Sequence, residues 1–174
     1  KATQEEREVI RRLAWYSTEF GLVMENNRIK VFGAGIISGR AELANTIMEF
    51  YRLGRDNVID YSKDVFVQLQ RNFLANKNDA YRIIAGVNEL HQKGQMSSGE
   101  QGWNVVRTLY DRLGISRDGY FGGEVILAPF EVETISQIPK TVYAFNPMFF
   151  VAESLEQMDA VLDSYLKPIA LRNS

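Results

Sequence analysis

Apolar residues recur at helical spacing in the first twenty residues of the chain. Four of them share one predicted face: Val9, Leu13, Tyr16 and Phe20. Positions three or four apart lie on the same side of an α-helix, so the pattern predicts an amphipathic helix over residues 3–20. Thr3 stands ahead of several glutamates, which is a favourable helix N-terminus. Gly21 ends or turns the predicted helix.

A turn, a short strand and a second helix are predicted next. Asn26-Asn27 is a turn signal, and the alternating residues 28–32 predict a strand. Residues 38–53 again show helical spacing, and Gly54 is the predicted C-cap. The predicted inner face of this helix comprises Leu43, Ile47, Phe50 and Tyr51.

The middle of the chain, about residues 56–123, is predicted to be mostly helical with polar loops. Three apolar faces define it: Val65, Leu69 and Phe73; Tyr81, Ile84 and Val87; Trp103, Val106, Tyr110 and Leu113. The stretch KGQMSSGEQG, residues 93–102, is the predicted mobile loop, and a glycine-rich turn is predicted at 119–123. We expect this middle part to be a helical segment of the fold.

The last third of the sequence has a different pattern. Residues 124–135 and 140–151 predict β-rich segments interrupted by prolines. A closing helix is predicted over 154–167, with four inward-facing residues: Leu155, Met158, Leu162 and Tyr165. The predicted fold class is therefore mainly α with a small β component.

Composition narrows the class of protein. The chain has 174 residues, enough for one domain with a substantial core, and a formal net charge of −2. This charge gives no electrostatic footprint for nucleic acid or an anionic membrane, and no apolar run approaches the ~20 residues of a membrane span. Cysteine is absent, so disulfides and thiolate metal sites are excluded. A cytoplasmic protein is expected, and an oligomer is possible.

The start of the sequence leads to a further expectation. The chain begins at Lys1 without an initiator methionine and without a signal peptide. We expect it to be part of a longer protein or a processed product.

The stretch VFGAGIISGR, residues 31–40, suggests one binding chemistry. Gly33 and Gly35 follow a predicted strand, and Asp60 falls about where a ribose-binding carboxylate would lie in a dinucleotide-binding domain. Against this reading, Ser38 replaces the third glycine, and the chain then lacks the alternation of strands and helices that builds a parallel sheet. Nucleotide binding through Gly33 and Gly35 is kept as an alternative.

Glu19 allows two interpretations. Helical arithmetic places it at the edge of the apolar stripe, next to Tyr16, where a carboxylate is costly to bury without a cation. It could form an ion pair with Arg12, or it could be a metal ligand, since carboxylates suit iron in a mixed nitrogen and oxygen site. The sole histidine, His91, reads as a solvated residue or a cation at a helix C-terminus. Ser38, taken alone, reads as a helix N-cap.

Two stretches together resemble the pterin-dependent aromatic amino acid hydroxylases. The first comprises WYSTEFGL at 15–22, then a strand, and then GAGIIS at 33–38; Gly33 lies fourteen positions after Glu19, the separation typical of that family. The second is FNPMFFVAES at 145–154 with the helix after it, which is similar to the family's final strand and helix. The resemblance implies the C-terminal part of a hydroxylase-like catalytic domain.

This resemblance implies a set of roles. Fe(II) would be held by two histidines and one carboxylate, and the carboxylate would be Glu19. Trp15, Phe20 and Gly35 would contact the aromatic substrate. Ser38 would contact the substrate and also orient one histidine ligand, so Glu19 and Ser38 are the predicted catalytic residues. Tetrahydropterin, oxygen and an aromatic amino acid, phenylalanine by default, would be the other participants.

The sequence also departs from the family pattern. The family's His-x-x-x-x-His motif precedes the glutamate and is not within this sequence, so the chain alone is expected to be inactive and to need an N-terminal part of the same protein. Ala14 replaces a tyrosine that borders the pterin, and Gly39 replaces a second serine. Pterin contacts therefore stay open.

The resemblance divides the chain into two kinds of segment. Residues 1–45 and 126–174 are predicted to belong to the catalytic domain, and 46–125 to be a helical insertion. A second possibility is therefore a non-catalytic regulatory or assembly module derived from such an enzyme, acting through the insertion.

Overall fold

The structure is a computed structural model that describes residues 1–40, 43–44, 46–47, 59–96, 99–115, 126–141 and 146–172. Within these ranges the fold is mainly helical, with one four-stranded mixed sheet. The predicted fold class, mainly α with a small β component, is confirmed. The described helices do not include one that is both long enough and apolar enough to cross a membrane.

The first helix forms where the apolar stripe predicts it. Helix α1 spans Gln4–Ala14 and begins with a capping box: the Thr3 hydroxyl accepts from the Glu6 amide at 3.1 Å, and the Glu6 carboxylate accepts from the Thr3 amide at 2.7 Å. The last turn, Trp15–Glu19, is a π-helix rather than an α-helix. The four predicted face residues are buried: Val9, Leu13, Tyr16 and Phe20.

The sheet joins strands that are far apart in sequence. Strands β1 (Leu22–Glu25) and β2 (Arg28–Val31) form an antiparallel hairpin, while β3 (Ile126–Pro129) and β4 (Met148–Ala152) pair in parallel. Strand β4 also pairs in parallel with β1, which gives the order β2-β1-β4-β3. Asn26 and Asn27 make the hairpin turn with positive φ angles of 51° and 56°, as a two-residue turn with the native twist requires.

Five further helices have described bounds. They are α2 (Ala34–Ser38), α3 (Val65–Gln92), α4 (Gly99–Leu113), α5 (Val132–Ser136) and α6 (Leu155–Leu171). Helix α3 packs against β3 and α4, and α5 packs against α1. Arg40, Leu43–Ala44 and Thr46–Ile47 are helical as well.

The core contains residues from the whole length of the chain. Its larger cluster includes Leu13 of α1, Ile83 of α3, Tyr110 of α4, Phe150 of β4 and Met158 of α6. A second cluster lies around the end of the π-helix and β1 and includes residues of β3, β4 and α3. Helices α3 and α4, within the predicted insertion, therefore share a core with α1; the division into domains stays a prediction.

Three residues predicted to face inward are exposed. Ile47, Tyr81 and Leu155 have 50%, 54% and 45% of their surface accessible. In α3 the buried face runs through Ala80, Ile83, Ile84 and Val87, which leaves Tyr81 on the solvent side. Leu155 is the first residue of α6 and precedes the turn that reaches the core at Met158. The inward prediction was wrong for these three residues.

Several element bounds also differ from the sequence prediction. Residues 132–136 form α5 instead of a strand, because the Thr134 hydroxyl donates to the Pro129 carbonyl at 2.8 Å and tertiary packing buries Ile135. Residues 99–102 belong to α4, so the predicted loop ends sooner, and α6 continues to Leu171. Phe50, Tyr51, Gly54, the predicted turn at 119–123 and the side chain of Trp103 lie outside the described residues.

Candidate functional site

The π-helix places Glu19 at the end of the first helical segment. The Phe20 amide donates to the Trp15 carbonyl at 2.9 Å, the i to i−5 bond of a π turn. The buried Ser17 hydroxyl donates to the Leu13 carbonyl at 2.6 Å and so holds the turn from inside. Glu19 itself is exposed. π turns inside helices are frequent at functional sites, which makes this end of the helix a candidate.

Two glycines bring the next segment against Glu19. A Cβ atom at Gly33 would lie 2.3 Å from the Glu19 carbonyl oxygen and 2.5 Å from the Gly21 nitrogen. A Cβ atom at Gly35 would lie 3.0 Å from Phe20 Cζ and 3.1 Å from Glu19 Oε2. Both glycines are therefore required for close packing on the end of the π-helix.

This packing argues against the phosphate-binding alternative. Gly33 follows β2, an edge strand of an antiparallel hairpin, whereas a dinucleotide fold begins at a parallel strand inside the sheet. Asp60 pairs with Lys63 at 2.8 Å and accepts hydrogen bonds from Ser62. The Lys63 ammonium, with Ser62, lowers the pKa of Asp60 to about 2, so this carboxylate is committed to its own turn.

Two aromatic rings contact each other at the end of the helical segment that carries Glu19. The ring centroids of Trp15 and Phe20 are 4.6 Å apart, and the ring planes are tilted by 41°. Trp15 Nε1 donates to Asn146 Oδ1 at 3.0 Å, and the Thr141 hydroxyl donates to the same oxygen at 2.6 Å. Since Thr141 and Asn146 are fully buried, they fix the orientation of the indole ring.

The predicted ion pair between Glu19 and Arg12 does not form. The Arg12 guanidinium donates to the Ser136 carbonyl instead, and within the described ranges no ion pair includes Glu19. An exposed carboxylate at the end of a hydrogen-bonded π turn can accept a cation from outside. The ligand interpretation of Glu19 stays a prediction.

Ser38 lies at the other end of α2 from Glu19. It is the last residue of α2 rather than an N-cap, it is exposed, and its hydroxyl is 3.5 Å from the Gly35 carbonyl oxygen. Together with Ile37 and Arg40 it lines an open groove. The described contacts thus link Gly35 to Glu19 and Phe20, and Phe20 to Trp15. Ser38 lies one helical turn farther along from Gly35.

Comparison with known proteins identifies the family of this chain. The family model described as "Biopterin-dependent aromatic amino acid hydroxylase" matches residues 1–93, just over half of the chain, including all of these residues up to Ser38. This chain belongs to the biopterin-dependent aromatic amino acid hydroxylases. The matched range continues past residue 45, where the sequence predicts a boundary, and the position of that boundary stays a prediction.

Individual members of the hydroxylase family match over short regions. Phenylalanine-4-hydroxylase of Vibrio cholerae is 48% identical over 42 residues, which are 24% of this chain and 14% of that protein. Tyrosine 3-monooxygenase of Canis lupus familiaris is 40% identical over 48 residues, 28% and 10% of the two chains. The chloroplastic phenylalanine 4-monooxygenase of Physcomitrium patens is 56% identical over 32 residues, 18% and 8%. The chain thus spans a small part of these relatives.

Glu19 is the predicted carboxylate ligand for iron. Glu19 offers oxygen ligands of the kind that a site of two histidines and one carboxylate uses. His91, the sole histidine of the sequence, is exposed in the last turn of α3. Among the described residues no three histidine, aspartate or glutamate side chains cluster as a metal site. Glu19 therefore fits the carboxylate position of such a site, and the sequence, with its single histidine, does not contain the two histidines that the site uses.

Three residues of the site were not predicted from the sequence: Lys140, Thr141 and Asn146. Asn146 stands within the FNPMFFVAES segment that carries the family resemblance, but nothing in that motif pointed to Trp15, which lies 131 positions away. Lys140 Nζ lies 4.9 Å from the centroid of the Trp15 ring. A lysine next to a proline gives no sequence signal for such a contact.

Proposed function

We propose that this chain is part of the catalytic domain of an iron- and tetrahydropterin-dependent monooxygenase that hydroxylates an aromatic amino acid, with phenylalanine as the default substrate. One observation carries the proposal: the exposed Glu19 carboxylate and the Phe20 ring both lie against Gly35. An oxygen ligand and an aromatic surface are thereby adjacent on one rigid turn. Membership of the hydroxylase family supports the same chemistry.

Glu19 is the proposed iron ligand of this chain. Its backbone is held by the π-helix and by the packing of Gly33, so the carboxylate has a fixed starting point from which to bind. Two histidines from outside this sequence would complete the set. When bound, iron and reduced pterin supply the oxygen chemistry, and the protein positions the ring.

Trp15, Phe20 and Gly35 are the proposed substrate contacts. The half-buried Trp15 ring, with the buried Phe20 ring tilted against it, offers an apolar surface on which a third aromatic ring can pack edge to face or offset. Gly35 keeps the backbone close to Phe20, since a side chain there would displace the phenyl ring. Ser38, whose hydroxyl is exposed, is the proposed support for a histidine ligand and a further substrate contact.

A product assay tests the proposal. The iron-loaded polypeptide that carries this chain and the two histidines is supplied with tetrahydropterin and oxygen, and with L-phenylalanine or L-tyrosine in parallel. We expect pterin-dependent formation of tyrosine from phenylalanine, and no turnover by the 174-residue chain alone, because one carboxylate is not a metal site. If L-tyrosine is converted faster than L-phenylalanine, tyrosine becomes the proposed substrate. Absence of product from both amino acids would contradict the proposal.

The single carboxylate ligand also favours a second function. A chain with one histidine cannot build the family's donor set by itself, so it could act as a non-catalytic module derived from such an enzyme. If the longer polypeptide neither retains iron nor hydroxylates either amino acid, this module is the function to pursue.

A further inference from the structure

Helix α3 exposes a line of large apolar side chains on its solvent side. Val67, Leu74 and Tyr81 have 45%, 57% and 54% of their surface accessible, and each stands seven residues after the one before. A seven-residue spacing keeps side chains on one narrow line along a helix, as in the contact line of a coiled coil. The buried side of α3 packs in the core through a separate set of residues that includes Leu69 and Ile83. The described fold therefore does not use the exposed line.

Three further exposed residues complete this line. Arg71, Asn78 and Ala85 each follow one of the apolar residues by four positions. The resulting alternation of four and three positions is the spacing of the residues that face the partner helix in a coiled coil. We name these six positions the α3 seam: Val67, Arg71, Leu74, Asn78, Tyr81 and Ala85. The seam covers about 27 Å of helix at 1.5 Å per residue.

Arg71 is the charged residue of the α3 seam. Among the described residues no carboxylate forms an ion pair with Arg71. Arg82, another cation on the solvent side of α3, pairs with Asp79 at 3.1 Å. A helix that covers the seam must therefore place an anion or an aromatic ring against the Arg71 guanidinium. Tyr81 offers such a ring on the seam itself.

The spacing of the α3 seam is the same in both directions along the helix. The intervals are four, three, four, three and four positions, so a second copy in antiparallel orientation matches the first position by position. Three pairs then face each other across a two-fold axis: Val67 with Ala85, Arg71 with Tyr81, and Leu74 with Asn78. The Arg71 guanidinium would lie over an aromatic ring in this pairing. In a parallel pair it would instead face Arg71 of the second copy, and the like charges would repel.

We propose that the α3 seam binds the same seam of a second copy of this chain in antiparallel orientation, which gives a two-fold symmetric dimer. The opposed dipoles of the two helices favour this orientation as well. One helix from each copy makes an interface smaller than that of a permanent dimer, so we expect a reversible association with a dissociation constant of about 1–100 µM. This assignment goes beyond the proposed function and does not depend on it.

Sedimentation equilibrium tests the association. The polypeptide that carries this chain and the two histidines is measured over a concentration series as wild type, Leu74→Lys and Leu171→Lys. We expect a monomer–dimer equilibrium for the wild type. Leu74→Lys should weaken it at least about 10-fold, because the two new ammonium groups would lie about one helical turn apart across the two-fold axis. Leu171 is an exposed leucine of α6, so Leu171→Lys should dimerise as the wild type does.

Engineered cysteines test the antiparallel orientation. In a background free of other cysteines, Val67→Cys and Ala85→Cys are made singly and together and are oxidised mildly. The two positions are about 27 Å apart along one helix, so they cannot form a disulfide within one copy. We expect a disulfide-linked dimer from the double variant and from a mixture of the two single variants, and none from either single variant alone. A linked dimer from Val67→Cys alone would show parallel pairing and overturn the proposed orientation.

Three other results would overturn the inference. The first is a wild type that stays monomeric at every concentration. The second is an association that Leu74→Lys leaves unchanged, since another surface would then join the copies. The third is a monomeric wild type whose free energy of unfolding falls on Leu74→Lys substitution but not on Leu171→Lys substitution, because another part of the same polypeptide would then cover the seam.

Discussion

At Gly33 and Gly35 the backbone lies directly against the residue that carries the proposed ligand. The space a Cβ would take at Gly33 is occupied by backbone atoms of Glu19 and Gly21. At Gly35 the nearest atoms are the Glu19 carbonyl oxygen at 2.9 Å and the ends of two side chains, Phe20 and Glu19. Backbone atoms cannot move aside as side chains can. An added methyl group should therefore destabilise the fold more at Gly33 than at Gly35.

Substituting the two glycines by alanine tests this close packing. We expect Gly33→Ala to lower the free energy of unfolding by about 3 kcal/mol or more, and Gly35→Ala by about 1–2 kcal/mol, measured by urea unfolding. Gly94→Ala is the control: nothing lies within 4 Å of its Cβ position, and only its φ of +67° adds strain. Wild-type stability of Gly33→Ala would contradict the described packing.

Some of these residues could be predicted from the sequence and others could not. Glu19, Phe20 and Gly35 belong to a motif with short, regular spacing, so the sequence was enough to group them. Asn146 and Lys140 join Trp15 through the tertiary fold, across a separation of 131 positions in the case of Asn146. Their partners depend on how β4 and α5 pack on α1, which local patterns do not specify.

The π-helix Trp15–Glu19 is the element that sets the direction of the Glu19 side chain. Apolar spacing predicted a helix here, and the buried stripe confirms it. The wider turn was not predicted, because the spacing of Leu13, Tyr16 and Phe20 fits an α-helix equally well. Ser17 and Thr18 both donate to carbonyls four residues back, at 2.6 Å and 2.8 Å, but Ser17 is buried and Thr18 is exposed.

A comparison of Ser17→Ala with Thr18→Ala tests what holds this turn. We expect Ser17→Ala to reduce the free energy of unfolding by about 1–2 kcal/mol, because a buried hydrogen bond to the Leu13 carbonyl is lost. Thr18→Ala should change it by less than about 0.5 kcal/mol, since water replaces the hydroxyl there. Thermal and urea unfolding both provide the measurement, and equal effects of the two substitutions would count against the assigned role of Ser17.

Strand β1 was not predicted from the sequence. The Asn26-Asn27 turn and the strand after it were predicted, but residues 22–25 were not assigned as a strand. Leu22-Val23-Met24 is a continuous apolar run without alternation, and β1 is held between β2 and β4. Because β4, which pairs with β1, lies more than a hundred positions later in the sequence, the residues around β1 give only a weak signal for a strand.

At the scale of the whole molecule, the larger buried cluster among the described residues links the predicted insertion to α1 and β4. Ile83 of α3 and Leu13 of α1 belong to the same buried cluster as Phe150 of β4. Contacts of this kind couple the stability of the segments, so they should unfold together. The sequence predicted that 46–125 is largely helical, but helical periodicity could not say where α3 and α4 pack.

Unfolding followed by two probes tests this coupling. Ile83→Ala should lower the free energy of unfolding by about 2–4 kcal/mol, because it leaves a cavity at a fully buried position. Unfolding is followed by far-UV circular dichroism and by the fluorescence of Trp15 in a Trp103→Phe background. We expect both probes to give the same midpoint of the unfolding transition. Val67→Ala, at an exposed position of the same helix, is the control. Two separate transitions would instead favour an independently folding insertion.

Iron retention tests the central claim, that Glu19 is a metal ligand, most directly. The polypeptide that carries this chain and the two histidines is loaded with Fe(II) under anaerobic conditions, desalted and assayed for bound iron, as wild type, Glu19→Gln and Glu25→Gln. Glu25 is an exposed glutamate at the end of β1 and serves as the matched control. We expect Glu19→Gln to lose at least about 10-fold in iron affinity while Glu25→Gln retains wild-type binding. Wild-type iron retention by Glu19→Gln would contradict the account.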